Sequence, residues 1–332
     1  MHHVSIVIPS FNSAAFIQAA LASATAQTLK DIEIIVVDDA STDVTAHLVE
    51  EAARVDPRIR LLRQPHNAGP SAARNAGIAV ASGRWIALLD SDDSYATERL
   101  ARLVEVGDRR GADLVSDNLM LVPEQHPAAA HPMIPQSLLS AERPLSLVEF
   151  VRRNTVDASY PAVNYGFLKP IIRREFLRSR AITYDTSVRF AEDFALYLDC
   201  FRNDAEWWLV PEAMYHYQVR SNSLTQVQTV HDLGRLRQRQ ARLLREAQEI
   251  PDAELVRLVR RHMRVVDRCY YYRGFTDELK RSRWIAALRY VLEGPAPAAL
   301  ILAESLRQIP VVTRKALRGG YRRGSSMPSP QS

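Results

Sequence analysis

The sequence predicts an α/β protein, a mostly parallel sheet layered between helices, with a helical region at its C-terminal end. Three observations carry that prediction. Short β-branched apolar runs alternate with segments of helical period from Val4 to about Ser116, the pattern of βα units joined by right-handed crossovers. Several of those runs end abruptly in carboxylates. Beyond His231 the strand signal stops and basic amphipathic segments take over.

Taken in order, Val4–Ile8 reads as a strand, Ala14–Ala26 as a helix and Glu33–Val37 as a strand. Asp43–Val55 is a helix capped by Ser41 or Thr42, Ile59–Arg63 a strand, and Ser71–Val80 a helix after a Gly69-Pro70 turn. Trp85 to Leu89 is apolar without interruption, as in a strand buried on both faces. A helix to about Arg110 and a strand Ala112–Ser116 follow. Residues 121–145 hold five prolines and read as a flexible loop or insert. Glu192 and Asp193 open a helix whose buried face is Phe194, Leu196, Tyr197, Leu198 and Phe201. Strands are expected at Glu206–Val210 and Ala213–Tyr217, then helices at Leu233–Ala247, Ala253–Tyr271, Glu278–Leu292 and Pro295–Gln308.

With 332 residues, 47% of them hydrophobic, the chain accommodates one large domain, residues 1–230, and an appendage, residues 231–332. Charge divides the same way. Residues 231–332 carry 21 Arg and Lys against 10 Asp and Glu, and residues 1–230 carry 22 against 28. Cys200 and Cys269 lie far apart in helical patterns, which argues against a disulfide framework and for a reducing setting. No run approaches the ~18 apolar residues of a membrane span, and His3 leads directly into VSIVI with no secretory pattern. A cytoplasmic chain is expected, peripheral on the inner membrane surface if the basic helices meet anionic headgroups. Nucleic acid is not an expected partner, because no recognisable motif accompanies the arginines.

The chemistry gathers around WIALLDSDDS. Asp90, Asp92 and Asp93 stand at the carboxyl end of a buried strand, where ligands collect in open α/β sheets. Hard oxygens held together suit Mg²⁺ or Mn²⁺ shared with a phosphate; a solvated acidic turn is the plain alternative. Two further strand ends reach the same edge, one with Asp38 and Asp39, the other with Pro9, Ser10, Phe11 and Asn12. Solvated acidic turns have no reason to recur at one edge, so the convergence favours a site. No G-x-G-x-x-G or Walker motif is present, so metal and side chains must hold any phosphates. Arg74, one turn into its helix, can reach back to that edge.

The series IVIPSFN, VVDDASTD, NAGPSAARNAG and LLDSDD, in this order and spacing, resembles the nucleotide-sugar half of the family 2 glycosyltransferases, over about the first 120 residues. The resemblance implies the GT-A fold, a Rossmann-like arrangement, with residues 121–230 as the acceptor half. It implies a nucleotide-sugar site of Pro9, Phe11, Asn12, Asp38, Asp39, Arg74, Asp90 and Ser91, with Asp39 facing the uracil of a UDP-sugar. It makes Asp90 and Asp92 the D-x-D metal pair for Mg²⁺ or Mn²⁺. Phe11 stands where tyrosine is common.

Two acids in a first helical turn commonly serve only the helix dipole, worth ~0.3–1 kcal/mol. In the family an E-D pair at this place supplies the base, so Asp193 is implied as catalytic and Glu192 as its neighbour. Ala191 stands where glycine is frequent. His216 and Arg220 resemble the Y-x-Y-R…S-x-T ending of the catalytic domain, with a place near the diphosphate or a structural role. KRSRW at Lys280–Trp284 lacks the glutamine of the Q-x-x-R-W motif of processive members, which implies one sugar per encounter. The whole resembles bacterial enzymes that build exopolysaccharide on a lipid carrier, of the succinoglycan type. The reaction implied is inverting, metal-dependent transfer from a UDP-sugar to a glycan or lipid-linked acceptor. Rival readings are a haloacid dehalogenase-like phosphatase built on Asp90 and Asp92, and an inactive glycan-binding module.

Overall fold

The computed structural model describes residues 2–154, 163–187, 191–220, 229–249 and 252–306. The serine- and threonine-bearing stretch at 221–225 and the basic stretch at 307–332 lie outside the described residues. Among the described residues, β1 (Val4–Ser10), α1 (Ile17–Thr25), β2 (Ile32–Asp38), α2 (Thr45–Val55), β3 (Ile59–Arg63), α3 (Pro70–Val80) and β4 (Trp85–Leu88) alternate as expected. The four strands lie in the order β3, β2, β1, β4 and are all parallel. Every residue of β1, β2 and β4 is buried, which is why these strands read as largely apolar runs; the buried exceptions Ser5 and Glu33 pair with each other at 2.6 Å. The order in which strands are added reverses between β1 and β4, with β2 and β3 on one side of β1 and β4 on the other, and the crevice at such a switch point is where this class of sheet binds ligands.

Past β4 the chain forms β5 (Ser94–Tyr95), α4 (Arg99–Arg110), β6 (Leu114–Pro123), β7 (His131–Pro132), β8 (Arg143–Pro144), α5 (Leu147–Asn154), β9 (Ile171–Arg173), α6 (Arg174–Ser179), α7 (Glu192–Arg202) and β10 (Trp207–Val219). The sheet continues from β4 through β9, β6 and β10 to β5. Here it becomes mixed, with β9 antiparallel to both β4 and β6. One consequence decides the site: because β9 runs backwards, the residues that precede it arrive at the carboxyl edge of β4.

Several local expectations are corrected. Neither Ser41 nor Thr42 caps α2; the Asp43 carboxylate accepts from Thr45 N at 2.9 Å, while Ser41 and Thr42 tie β2 to β1. The two strands expected at 206–217 are one, β10, whose register slips between Leu209 and Tyr215; Pro211, with no N–H to donate, sits in that irregularity. The proline-rich 121–145 stretch is built into the fold. β7 pairs with β6 and β8 with β10, Asn118 exchanges two hydrogen bonds with Ile134, and Met133, Ile134, Leu139 and Leu145 are buried.

The C-terminal helices are α8 (Val230–Glu249), α9 (Ala253–Lys280), α10 (Trp284–Leu292) and α11 (Pro295–Leu306). The helix expected at 278–292 is interrupted after Lys280, where Ser282 takes a positive φ of 58°. Compact units do not follow a single cut at residue 230. One comprises 1–228 with 242–262, the other 229–241 with 263–332. The reason lies in Leu243, Ala247, Leu255, Leu258 and Val259, which belong to the same apolar core as the sheet.

Candidate active site

Three strand tips are fastened to one another before any ligand is considered. Asp39 N donates to Ser10 O at 2.8 Å, Asn12 N donates to Ser41 Oγ at 2.9 Å, and Thr42 N donates to Asn12 Oδ1 at 2.8 Å. These bonds join the ends of β1 and β2. The end of β4 joins them through Ser13 Oγ and Ser91 Oγ, 2.8 Å apart. Asn12 and Ala40 both take positive φ, 48° and 59°, the sharp turns that let polar backbone face the crevice. Pro9 is buried in β1, whereas the Phe11 ring is 46% exposed at the rim.

Asp38 and Asp39 reach the expected edge with different duties. Asp38 Oδ2 accepts from Ser41 N at 3.3 Å. Both oxygens of Asp39 accept backbone N–H groups, from Ala68 and from Gly69, each at 2.8 Å. Asp39 therefore shapes the loop ahead of α3, where Gly69 adopts φ 89° and Pro70 opens the helix.

That loop aims Arg74, and Arg74 is a centre of the site. Its guanidinium is buried and donates to Asp90 Oδ1 at 2.9 Å and Glu192 Oε1 at 2.8 Å, with Asp193 Oδ1 at 3.9 Å. Lys169, just ahead of β9, completes the network. Its ammonium is also buried and lies 2.8 Å from Asp90 Oδ2 and 2.7 Å from Asp193 Oδ2. Tyr184 donates to the other Asp193 oxygen at 2.8 Å, and Tyr197 ties α7 to Leu168 O at 2.7 Å. Asp90, at the end of β4, and Asp193, at the start of α7, thus meet across one lysine.

Electrostatics follow from this geometry. Burial alone would penalise the charge on Lys169, but Asp193 and Asp90 hold its pKa well above the ordinary lysine value. Burial also opposes ionisation of Asp90, and Lys169 and Arg74 override it to keep that carboxyl well below the usual range. Asp92 differs. Burial and the charge of Asp90 raise its pKa, with Arg220 acting in the other direction. Its side chain is 42% exposed. Asp93 is turned inward, accepting from Tyr215 OH at 2.7 Å and Gln218 N at 2.8 Å; burial and its two acidic neighbours push its pKa well up.

The remaining candidates separate. Arg220 reaches the acidic motif, donating to Asp92 Oδ2 at 3.1 Å while lying over the Phe16 ring at 3.6 Å. His216 lies in β10 opposite Ser94, half-buried, and burial lowers its pKa. Of the residues singled out from the sequence, Arg74, Asp90, Glu192 and Asp193 share one network with Lys169, Asp92 and Arg220 form a pair beside it, and Asp38 and Asp39 hold adjoining backbone.

Residues that could hold a divalent cation are few. Among the described residues, no group of three His, Cys, Asp or Glu side chains is arranged as a metal site. Mg²⁺, however, is commonly bound by one or two carboxylates together with substrate phosphates. Asp90 is held by two buried cations, Arg74 and Lys169, whereas Asp92 is 42% exposed and meets Arg220 through Oδ2, so Asp92 is the more accessible carboxylate for a cation. The residues present fit a cation shared with a diphosphate, with Asp90 behind Asp92.

Sequence reasoning missed Lys169, Tyr184 and Tyr215. A signal existed for Lys169: in NYGFLKPII it is the one charge inside an otherwise apolar segment, and a buried lysine must find partners. Tyr215 is the first tyrosine of the Y-x-Y stretch around His216, where only His216 and Arg220 were singled out, and Tyr184 carried no comparable mark.

The description "Glycosyl transferase family 2" matches residues 5–175. The succinoglycan biosynthesis protein ExoO of Rhizobium meliloti (strain 1021) is 34% identical over 292 residues, which span 88% of this chain and 82% of ExoO. ExoU of the same organism is 33% identical over 299 residues, spanning 90% and 85%. Among solved structures, S. aureus TarS 1-349 in complex with UDP-GlcNAc superposes with a TM-score of 0.61 at 20% identity, covering 98% of this chain and 93% of TarS 1-349. At that identity the likeness is one of fold, and the fold is GT-A. A βα half that gathers carboxylates at a switch point, joined through Lys169 to an acidic helix start, agrees with the match: the chain belongs to glycosyl transferase family 2 and is a glycosyltransferase.

Proposed function

We propose that the protein transfers a single sugar from a UDP-sugar to a hydroxyl of a glycan or lipid-linked oligosaccharide, with inversion and with a divalent metal, in bacterial exopolysaccharide or cell-surface polysaccharide biosynthesis. The observation that carries this reading is the shared lysine. Asp90 on the donor side and Asp193 on α7 face each other across Lys169 Nζ, at 2.8 and 2.7 Å. The relatives named for succinoglycan biosynthesis support a polysaccharide product, and the UDP-GlcNAc complex of TarS supports a UDP-linked donor.

In this mechanism Asp92, with Asp90 behind it, would hold Mg²⁺ or Mn²⁺. When bound, the cation neutralises charge that develops on the leaving diphosphate. Arg220, already beside Asp92, supplies a further positive group for the same phosphates. Asp193 is the general base: each of its oxygens keeps a lone pair after accepting from Lys169 or Tyr184, so an acceptor hydroxyl can be bound and its proton taken. Attack comes from the face opposite the diphosphate, which inverts the anomeric centre. In this reading the base of the nucleotide lies between Phe11 at the rim and the loop that Asp39 holds.

The test is a thermal-shift screen of UDP-sugars with and without Mn²⁺, since a bound ligand stabilises by mass action. It is followed by NMR assignment of the product anomer. Metal-dependent stabilisation by one UDP-sugar and an inverted product are expected. Asp193→Asn is expected to bind UDP and transfer no sugar; full turnover by that variant removes Asp193 from its role.

A further inference from the structure

Two short helices carry apolar side chains on their outer faces. In α10, Trp284, Ile285, Leu288 and Leu292 are 65%, 79%, 52% and 78% exposed. Their spacing puts them on one side of the helix, while Ala287 is buried. In α11, Leu302 and Leu306 are 62% and 58% exposed and continue a stripe begun by Pro295 and Ala299, while Pro297 and Ile301 are buried. Exposed apolar surface of this extent is uncommon unless something covers it.

We propose that α10 and α11 form a docking surface for an anionic phospholipid bilayer. Charge selects that occupant. Lys280, Arg281, Arg283 and Arg289 are exposed around the start and along the side of α10. The pairs they make are loose: Arg281 and Arg283 share Glu278 at 3.5 and 3.8 Å, and Lys280 lies 3.8 Å from Asp277. Beyond α11, residues 307–332 contain six Arg and Lys and no Asp or Glu. A basic rim around an apolar stripe matches anionic headgroups over acyl chains, and it repels a second copy of itself. Trp284 at the edge of the stripe is a residue type that settles at the membrane interface.

Length decides the mode. No single described helix is long and apolar enough to cross a membrane, and α10 and α11 are bent by 115° at their break. Together α10 and α11 have the length and composition of a span only as a pair broken by that bend, and α10 alone, with nine residues, is far shorter than the ~20 needed. The two helices therefore lie in the interface with their stripes buried among headgroups and upper acyl chains. The surface is distinct from the donor and base residues and does not depend on their roles.

The experiment uses the full chain and vesicles that contain no sugar. Co-sedimentation is measured with phosphatidylcholine alone and with equal parts phosphatidylglycerol and phosphatidylcholine. Binding to the anionic vesicles that weakens with salt is expected, with a blue shift of tryptophan emission and quenching by brominated lipid. Trp284→Ser/Ile285→Ser/Leu288→Ser is expected to lose more than about tenfold in vesicle affinity, and Arg281→Glu/Arg283→Glu to lose the salt-dependent part. No binding of the unsubstituted chain, or no quenching by brominated lipid, overturns the proposal without recourse to a variant. So does equal binding by the triple variant, or a triple variant that changes only the oligomeric state.

Discussion

Lys169 Nζ lies 2.7 Å from Asp193 Oδ2, a buried ion pair made between the residue ahead of an antiparallel strand and the first turn of a helix. Removing one partner of such a pair leaves an uncompensated charge, at a cost of roughly 3–5 kcal/mol. Lys169→Met is therefore expected to lower the melting temperature markedly and to abolish transfer, because it frees Asp193 and Asp90 together. Chemical denaturation combined with a transfer assay checks this. A variant with parental stability and activity would show the pair to be incidental.

Asp90 and Asp92 should respond differently to the same chemistry. Asp90→Asn disrupts Arg74 and Lys169 at once, so stability and donor binding are both expected to fall. Asp92→Asn touches a side chain that is 42% exposed, and exposed substitutions usually stay within about 0.5 kcal/mol. Its melting temperature is expected to hold while the metal-dependent shift by UDP-sugar disappears. Thermal shift with and without Mn²⁺ separates the two variants.

Ala191 caps α7 in the left-handed region at φ 58°, immediately before Glu192 and Asp193. A side chain there is strained, and glycine relieves it. Ala191→Gly is expected to stabilise by roughly 0.5–1 kcal/mol with transfer retained, measured by urea denaturation. This backbone geometry also accounts for a glycine preference at the position.

Gly77 sets how closely α3 approaches β1. A Cβ at Gly77 would sit 2.4 Å from Val7 Cγ1, and one at Gly107 in α4 would sit 2.6 Å from the Trp85 ring. Overpacking of this kind costs about 1–3 kcal/mol. Gly77→Ala is expected to carry a second penalty, weaker donor binding, because α3 also carries Arg74. Donor KM measured for both variants distinguishes them, with only Gly77→Ala raising it.

His262 is buried against the Phe194 ring, and burial lowers its pKa to about 4. The unfolded chain titrates near 6.5, so the neutral ring contributes stability in full above that value. As pH falls from about 6.5 towards 4, the unfolded state takes up the proton first and stability is lost, by at most about 3 kcal/mol. His262→Leu is expected to flatten this part of the acid limb in melts recorded from pH 7 to 4. An unchanged slope would place the titration elsewhere.

What the sequence determined by itself was local or periodic. Apolar runs, unbroken at Trp85–Leu89 and interrupted only by Ser5 in β1 and Glu33 in β2, marked β1, β2 and β4 as buried strands, and the polar residues at their ends marked a common edge, because a strand's burial and its polar tip are written in consecutive residues. Ser41 and Thr42 are taken up by Asn12 at the end of β1, and Asp43 is left to accept from Thr45 N at the start of α2, a choice that only the folded contacts make. Lys169 stood out in the sequence as a charge in an apolar segment, but only the tertiary structure gave it, and Tyr184, their partners. Lys169 reaches Asp90 because β9 pairs backwards onto β4, and it reaches Asp193 because Tyr197 pins α7 to the same segment. Those pairings join residues 24 to 79 positions apart in the chain, over which neither periodicity nor spacing carries information. The acids and Arg74 were legible in the sequence, whereas the position of Lys169 between Asp90 and Asp193 was decided by strand direction and packing.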